Sequence, residues 1–338
     1  MVYESRWQQI IFATEIYRYF GTDLQIQYIN SAMKEIVDIL KIYENKGWVK
    51  IEPFAFFDFD SEDVKHIGMN PNLEFHARNL PLAFTDCLMK FRESSEFIII
   101  ADVDDILFPK HETFFDEFLH LRHKHPTAVG FMYHRSYAKI DVAKHFYQFS
   151  ISETIQTLKV AEPVYFGKTV YQPKYAETAW IHNPGLNNDS TITVPKGFGR
   201  MFHVQVEDSK IRKVNDTYFF GEKEDLKTFK DFNPIPKNAI EKIMTEFILS
   251  FKDLPNFQSN NFYTDILFEC NKNHEIWNEN LSCLTPFQCI EPKTDVNLKC
   301  VTAKRNYSVK YLNDHVFYLP NNEHFWESRN DGCQILTN

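Results

Sequence analysis

The stretch that most constrains this chain is Glu96–Lys110, Glu-Phe-Ile-Ile-Ile-Ala-Asp-Val-Asp-Asp-Ile-Leu-Phe-Pro-Lys. Phe97 to Ala101 is a continuous apolar run, which predicts a strand buried on both faces of a largely parallel sheet. Three carboxylates follow at once, Asp102, Asp104 and Asp105. Strand alternation would put Asp102 and Asp104 on one side, on the order of 7 Å apart. Pro109 then keeps the strand from continuing into a central ladder. Carboxylates at the carboxyl end of a buried strand lie where open α/β sheets bind ligands. Hard oxygen ligands there suit Mg²⁺ or Mn²⁺, and such an ion would grip a diphosphate. The competing reading is a solvated acidic turn that merely closes a strand. Taken alone, the motif fits two chemistries: a metal-dependent sugar-nucleotide transferase, or a haloacid-dehalogenase-like phosphatase with Asp102 as nucleophile.

The formal net charge of -9 excludes a general nucleic-acid binder. Only 10 of the 338 residues are glycine, and neither G-x-G-x-x-G nor a Walker sequence occurs, so a glycine cradle for phosphate is not expected. Phe is abundant at 32 residues, which supports a large aromatic core. Met1 leads directly into Val2-Tyr3-Glu4-Ser5-Arg6-Trp7, with no basic segment feeding an apolar signal or anchor. No apolar run of about 18 residues occurs anywhere, so taken literally the chain reads as soluble and unsecreted. The cysteines argue the other way. Cys87 lies alone in the first half, while Cys270, Cys283, Cys289, Cys300 and Cys333 crowd the last quarter, as disulfides in an oxidising compartment would. No C-x-x-C pair supports zinc. Sequons at Asn188, Asn215, Asn280 and Asn306 lean the same way as the cysteines.

Periodicity predicts a helix over 7–20 stopped by Gly21, and a strand at 24–28. A helix follows, capped by Asn30 or Ser31 with Met33, Ile36, Val37, Leu40 and Tyr43 on one face, and then a strand at 48–53. Residues 54–74 read as a loop, closed by the turn Asn70-Pro71-Asn72. A helix over about 74–92 leads into the acidic strand. Arg78 and Asn79 near its start and Asp86 within it are candidates to face the donor, and Asp102 and Lys168 are counted with them. Beyond the acidic run, 113–121 reads as a helix and 128–133 as a strand. Lys168–Val170 begins a strand-like stretch ending at Ala179-Trp180-Ile181-His182, and Asn183–Asp189 reads as a mobile loop. His182 and His203 each follow a turn-rich segment and are candidates to complete a coordination shell beside Asp102 and Asp104. Ile240, Ile243, Met244, Phe247, Ile248 and Phe251 predict a core helix over 238–251. The tail from about 257 reads as a small cysteine-rich module of short segments, giving domains at 1–255 and 256–338.

Assembled, these residues resemble glycosyltransferase family 92, in particular its nematode branch. The resemblance is carried by Trp7-Gln8-Gln9, Glu15 to Asp23, Tyr43-Glu44-Asn45-Lys46-Gly47, Asn70-Pro71-Asn72 and Arg78-Asn79-Leu80. Thr85-Asp86-Cys87-Leu88, the acidic run, Gly167-Lys168-Thr169-Val170 with Pro173, and Trp180-Ile181-His182-Asn183-Pro184 carry it further. It spans about residues 5–205. The resemblance implies a GT-A-like α/β fold with a mostly parallel central sheet, and transfer of galactose from UDP-galactose to a glycan acceptor with inversion. It implies Mn²⁺ (or Mg²⁺) on Asp102 and Asp104, and a single-pass Golgi membrane protein with its catalytic domain in the lumen. An inverting displacement needs a carboxylate base, for which Glu153, Glu162 and Glu177 are candidates. The chain departs from the family in two places. The apolar strand expected before Trp7, and the anchor, are not in this sequence. His203 sits in Met201-Phe202-His203-Val204-Gln205 where His-Tyr-Arg or similar is expected, which ranks His182 above it. An inactive glycan-binding relative is therefore the alternative. The phosphatase is a lesser one, because position 106 is Ile and two β–α units precede the motif.

Overall fold

The computed structural model describes residues 7–54, 59–69, 80–141, 143, 148–161, 163–186, 190–207, 227–228, 299–313 and 315–329. In chain order the elements begin α1 (Trp7–Tyr19), β1 (Gln25–Ile29), β2 (Ser31–Met33), α2 (Lys34–Asn45), β3 (Val49–Pro53), α3 (Ser61–Ile67) and α4 (Leu80–Phe91). Then come β4 (Ile98–Ile99), β5 (Asp105–Phe108), α5 (Phe114–Lys124), β6 (Gly130–Asp141), α6 (Ile151–Thr157), β7 (Lys159–Val160) and β8 (Val164–Tyr171). The last are β9 (Thr191–Thr193), β10 (Arg200–Glu207), β11 (Lys227–Thr228), β12 (Cys300–Leu312) and β13 (His315–Arg329). The chain divides into two compact units: one of Met1–Ser5, Ile26–Asn79 and Gln258–Asn338, the other of Arg6–Gln25 and Leu80–Phe257. Among the described residues no helix is long and apolar enough to cross a membrane.

In the first unit, β1 pairs with β3, and β2, β12 and β13 form a three-stranded sheet. Ser31 does not cap a helix as the sequence suggested. It opens β2, whose Met33, Ala32 and Ser31 pair antiparallel with Cys300, Val301 and Thr302, and α2 starts without a side-chain cap. The first amide of α2, Lys34 N, donates instead to the Lys299 carbonyl just before β12. The stretch read as a loop over 54–74 contains α3, because Asp60 accepts from Glu62 N and Asp63 N in a capping box and Gly68 closes the helix in the left-handed region. The tail read as short segments contains a hairpin of 13- and 15-residue strands. The helix expected over 238–251, the turn at Asn70–Asn72 and the cysteines Cys270, Cys283, Cys289 and Cys333 lie outside the described residues.

The second unit is built on β6. Along one edge of this 12-residue strand run β8 and then β7, both antiparallel; along the other run β9 and then β10, both parallel. One strand thus belongs to two half-sheets, and the sheet curls. Of the described pairings in this eight-stranded sheet five are antiparallel and two parallel, so the expectation of a mostly parallel sheet is corrected to a mixed one. The apolar run Phe97–Ala101 yields only a two-residue strand, β4, antiparallel to β8. A short apolar run shows burial and not the direction of its neighbour, which is why the sequence misled here.

α1 is packed all round and not along one stripe. Every residue from Trp7 to Tyr17 is buried, and Ile10, Ile11, Phe12 and Ile16 are wholly enclosed. Its polar side chains work inward. Gln8 exchanges two hydrogen bonds with the Ala143 backbone, and Glu15 pairs with Arg18. Phe20, Phe108, Phe114, Phe118, Phe202 and Tyr133 extend the core as a chain of ring contacts 5.5–6.3 Å apart. Leu88 of α4, Ile98, Ile100, Val129 and Tyr171 form a second apolar cluster, against which Cys87 packs.

Two glycines are required by close approach. A Cβ on Gly167 would lie 1.5 Å from the Tyr133 carbonyl oxygen, at the irregularity where β6 and β8 slip register. A Cβ on Gly199 would meet the Phe108 carbonyl oxygen at 2.4 Å. Gly199 N also donates to Glu117, whose buried carboxylate further accepts from Tyr133 OH, Lys110 N and His111 N. That one side chain fastens the chain leaving β5 to the chain entering β10.

Candidate active site

The acidic run forms a turn, not the end of a strand. Asp105 N donates to the Asp102 carbonyl at 3.0 Å, and β5 begins at Asp105. The alternation expected to align Asp102 with Asp104 therefore does not operate. Pro109 does follow directly on the last residue of β5.

Two pairings then assemble the site. β10 runs antiparallel to β5 with His203 opposite Asp105, and parallel to β6 with His203 opposite Tyr137. Opposed residues share a face, so Asp105, His203 and Tyr137 form one row across three strands, with Arg135 two residues along β6 on the same face. His203 Nδ1 lies 2.9 Å from Asp105 Oδ1 and 3.7 Å from Asp104 Oδ1. Carboxylates only accept, so without an ion Nδ1 carries the proton it donates to Asp105, and an ion taken on that nitrogen would displace the proton. Tyr137 stands edge-on to the His203 ring at 5.8 Å. From α1, Tyr17 OH donates to the Asp105 carbonyl at 2.8 Å and accepts from Leu107 N, while Gln9 donates to the Val204 carbonyl. One helix thereby holds the backbones of both strands. Burial pushes the Tyr17 phenol up, so it stays a neutral donor.

β8 carries the rest. Lys168, itself buried, places Nζ 2.7 Å from Asp102 Oδ2 and 3.5 Å from Asp105 Oδ2, and donates to the Ile181 carbonyl. Thr169 Oγ1 donates to the His182 carbonyl and Tyr171 OH to that of Asn183. The His182 Nδ1–H donates to the Gly167 carbonyl at 2.9 Å, which leaves Nε2 as the lone-pair nitrogen. The segment through Asn183 that was expected to begin a mobile loop is thus tied to β8 carbonyl by carbonyl. Residues 187–189 lie outside the described residues.

Electrostatically the cluster is sharply graded. Burial raises the Asp105 carboxyl, but the His203 hydrogen bond and the charges of Lys168, His203 and Arg135 outweigh it and hold the group below the usual carboxylate range. Burial lowers the His182 imidazole, and Lys168 and Arg135 press it the same way, so it is neutral at pH 7.

Asp104, Asp105 and His203 offer ligand atoms that all lie within 4.8 Å of one another. Two carboxylates and one imidazole form a donor set for Mn²⁺-like ions. Asp105 Oδ2 is buried, makes no hydrogen bond and has Lys168 Nζ 3.5 Å away, so it keeps a lone pair that an ion could take. The residues fit a divalent cation.

Of the residues expected from sequence, Asp104 and His203 come together. Asp102 faces Lys168, and His182 stands outside the trio. Lys168 is committed to Asp102 and a carbonyl. Asp86 pairs with Lys90 on the exposed side of α4 at 2.8 Å. Glu153 in the first turn of α6 and Glu177 are exposed. Arg78, Asn79 and Glu162 lie outside the described residues. Asp105 and Arg135 were not singled out by sequence. Asp105 was visible only as a third acid in the run, and Arg135 carried no signal, because the stretch from 134 onward shows no clear period.

The curled mixed sheet thus carries a cation-capable acidic turn with the His203 imidazole and the Arg135 guanidinium on one face. Comparison with known proteins places the chain. Residues 1–249 match glycosyltransferase family 92. The Caenorhabditis elegans glycosyltransferase family 92 protein F13G3.3 is 26% identical over 351 residues, covering 98% of this chain and 68% of the relative. The family 92 proteins ZK381.2 and C33H5.2 of the same organism are 28% and 25% identical, each covering 79% of this chain. This chain spans about half the length of those two, 53% in each case. The chain belongs to glycosyltransferase family 92. That membership sets aside the phosphatase reading.

Proposed function

We propose that this chain transfers a hexose, galactose from UDP-galactose, to a glycan acceptor with inversion, in a Mn²⁺- or Mg²⁺-dependent reaction in the Golgi lumen. The carrying observation is the trio Asp104, Asp105 and His203, whose ligand atoms gather within 4.8 Å in a chain of this family. Those three side chains would hold the ion. When bound, it would supply positive charge against the departing diphosphate. The protein's own part is to keep the trio rigid. Tyr17 and Gln9 fix its two strands, and Lys168 keeps Asp102 to one side. Asp102 is 35% exposed and is suited to accept a hydroxyl of the donor. Inversion needs a base on the acceptor hydroxyl, sought among Glu153, Glu162 and Glu177 by Glu→Gln substitution. A lumenal location is supported by the crowding of five cysteines in the last quarter of the sequence and by the exposed sequon residue Asn306.

The test is release of UDP from UDP-galactose by the purified chain with Mn²⁺, its loss on chelation, and its loss in Asp104→Asn. A folded protein that neither turns over nor binds any uridine nucleotide would refute the proposal. Glycan binding that persists in that protein would establish the inactive glycan-binding relative instead.

A further inference from the structure

Two cations reach the acidic cluster, and they differ in what they are free to do. Lys168 is spent internally. It is buried, Nζ lies 2.7 Å from Asp102 Oδ2 and 3.5 Å from Asp105 Oδ2, and a third contact goes to the Ile181 carbonyl. Two of its three donors make hydrogen bonds and its charge is answered by both carboxylates, so it is committed within the fold. Arg135 is the opposite case. It is half-buried, and among the described residues no carboxylate lies within ion-pair distance of it. Its one hydrogen bond is a long 3.4 Å contact from Nη2 to Tyr137 OH, and Nε is buried without a partner. What orients the guanidinium is the Tyr137 ring, 5.3 Å from its carbon to the ring centroid. Tyr137 is in turn placed by the His203 ring in the row Asp105–His203–Tyr137. Among the described residues this planar fork of five donors, set over the Tyr137 ring beside a cation-capable trio, has no anionic partner.

We infer that Arg135 is the residue that grips the donor's diphosphate, on the same sheet face as Asp105 and His203. This rests on the nucleotide-sugar reading above and names the contact within it. Rigid β6 backbone sets the position of the fork, and the ring behind it limits its rotation, so little conformational freedom is lost on binding. The guanidinium would take oxygens of the phosphate chain in paired hydrogen bonds, while the carboxylate–imidazole trio serves the cation on the same anion.

The test is calorimetric titration of the native chain, Arg135→Met and Arg135→Lys with UDP, UMP and inorganic pyrophosphate, all with Mn²⁺. Among the described residues Arg135 makes no ion pair, so Arg135→Met is expected to melt within a few degrees of native. It is expected to weaken UDP and pyrophosphate binding about tenfold or more while changing UMP much less, as loss of charge-assisted bonds to the second phosphate requires. Arg135→Lys keeps the charge and loses the fork, and is expected to lie between, which also serves if the methionine variant does not fold. An unchanged UDP-to-UMP affinity ratio in a folded variant overturns the assignment and leaves the donor reading standing. Binding of pyrophosphate but no uridine nucleotide, still dependent on Arg135, overturns the donor reading and leaves the anion site standing.

Discussion

His203 Nδ1 lies 2.9 Å from Asp105 Oδ1, and Asp105 is the one carboxylate of the acidic run with no exposed side-chain surface. The pair is 98 residues apart in sequence and is made by strand register alone. Removing one member of a buried charged pair leaves the other unsatisfied, whereas the partly exposed Asp104 keeps access to water. Asp105→Asn is therefore expected to cost about 3 kcal/mol in urea unfolding. Asp104→Asn should cost about 1 kcal/mol or less while abolishing Mn²⁺ binding. Equal stability losses in the two variants would refute this division of labour.

Acid should act on the fold through two groups with the same sign. The Asp105 carboxyl is held low in the folded state, so its contribution is present above the unfolded value of about 3.9 and is lost as pH falls through its folded value. The His182 imidazole is also held low, here by burial, so the unfolded chain takes up that proton first. Its contribution is present above about pH 6.5 and fades as pH falls further. Thermal melts from about pH 7.5 to 3.5 should show decline starting near 6.5 and steepening below about 4. His182→Gln should flatten the first part only.

Close backbone approach makes Gly167 intolerant of any side chain. Gly167→Ala should cost about 3 kcal/mol or more, because the obstacle is the Tyr133 backbone and not a movable side-chain tip. Gly197 has no atom within 4 Å of its would-be Cβ, so Gly197→Ala should carry only the strain of its φ of +106°. Chemical denaturation of both variants orders them.

Asn306 lies exposed on β12 at the irregularity between Arg305 and Tyr307, where the pairing with β13 slips. An outward asparagine freed from strict ladder geometry is open to modification. Expression through a secretory pathway should give a species whose mass falls on amidase treatment, with one glycan fewer in Asn306→Gln. No difference between native and variant would remove Asn306 from the glycosylated set.

Much of this was written locally. The acidic run, the helix ended by Gly21, the strand at 49–53 and the apolar residues of α1 could be read off directly, because each depends on neighbours within a few positions. His203 was legible as a candidate, but its partner was not. The sequence suggested Asp102 and Asp104 as a spaced pair, and an i→i+3 turn removed the alternation on which that pairing relied. The 54–74 stretch hid a capped helix. The segment beyond 133 hid the second part of β6, the longest strand of the curled sheet, since it pairs on both edges and carries no simple period.

By itself the sequence determined the chemistry on offer: hard oxygen donors after an apolar run, two imidazoles downstream, and the family signature of a sugar transferase. Only the tertiary structure decided which of those groups meet. The register of β5 against β10 joins Asp105 to His203, the buried Lys168 draws Asp102 aside, and the row across β5, β10 and β6 sets Arg135 beside them with no ion pair among the described residues. Those choices turn on pairings between strands distant in sequence, where a one-residue slip would move each side chain to the opposite face.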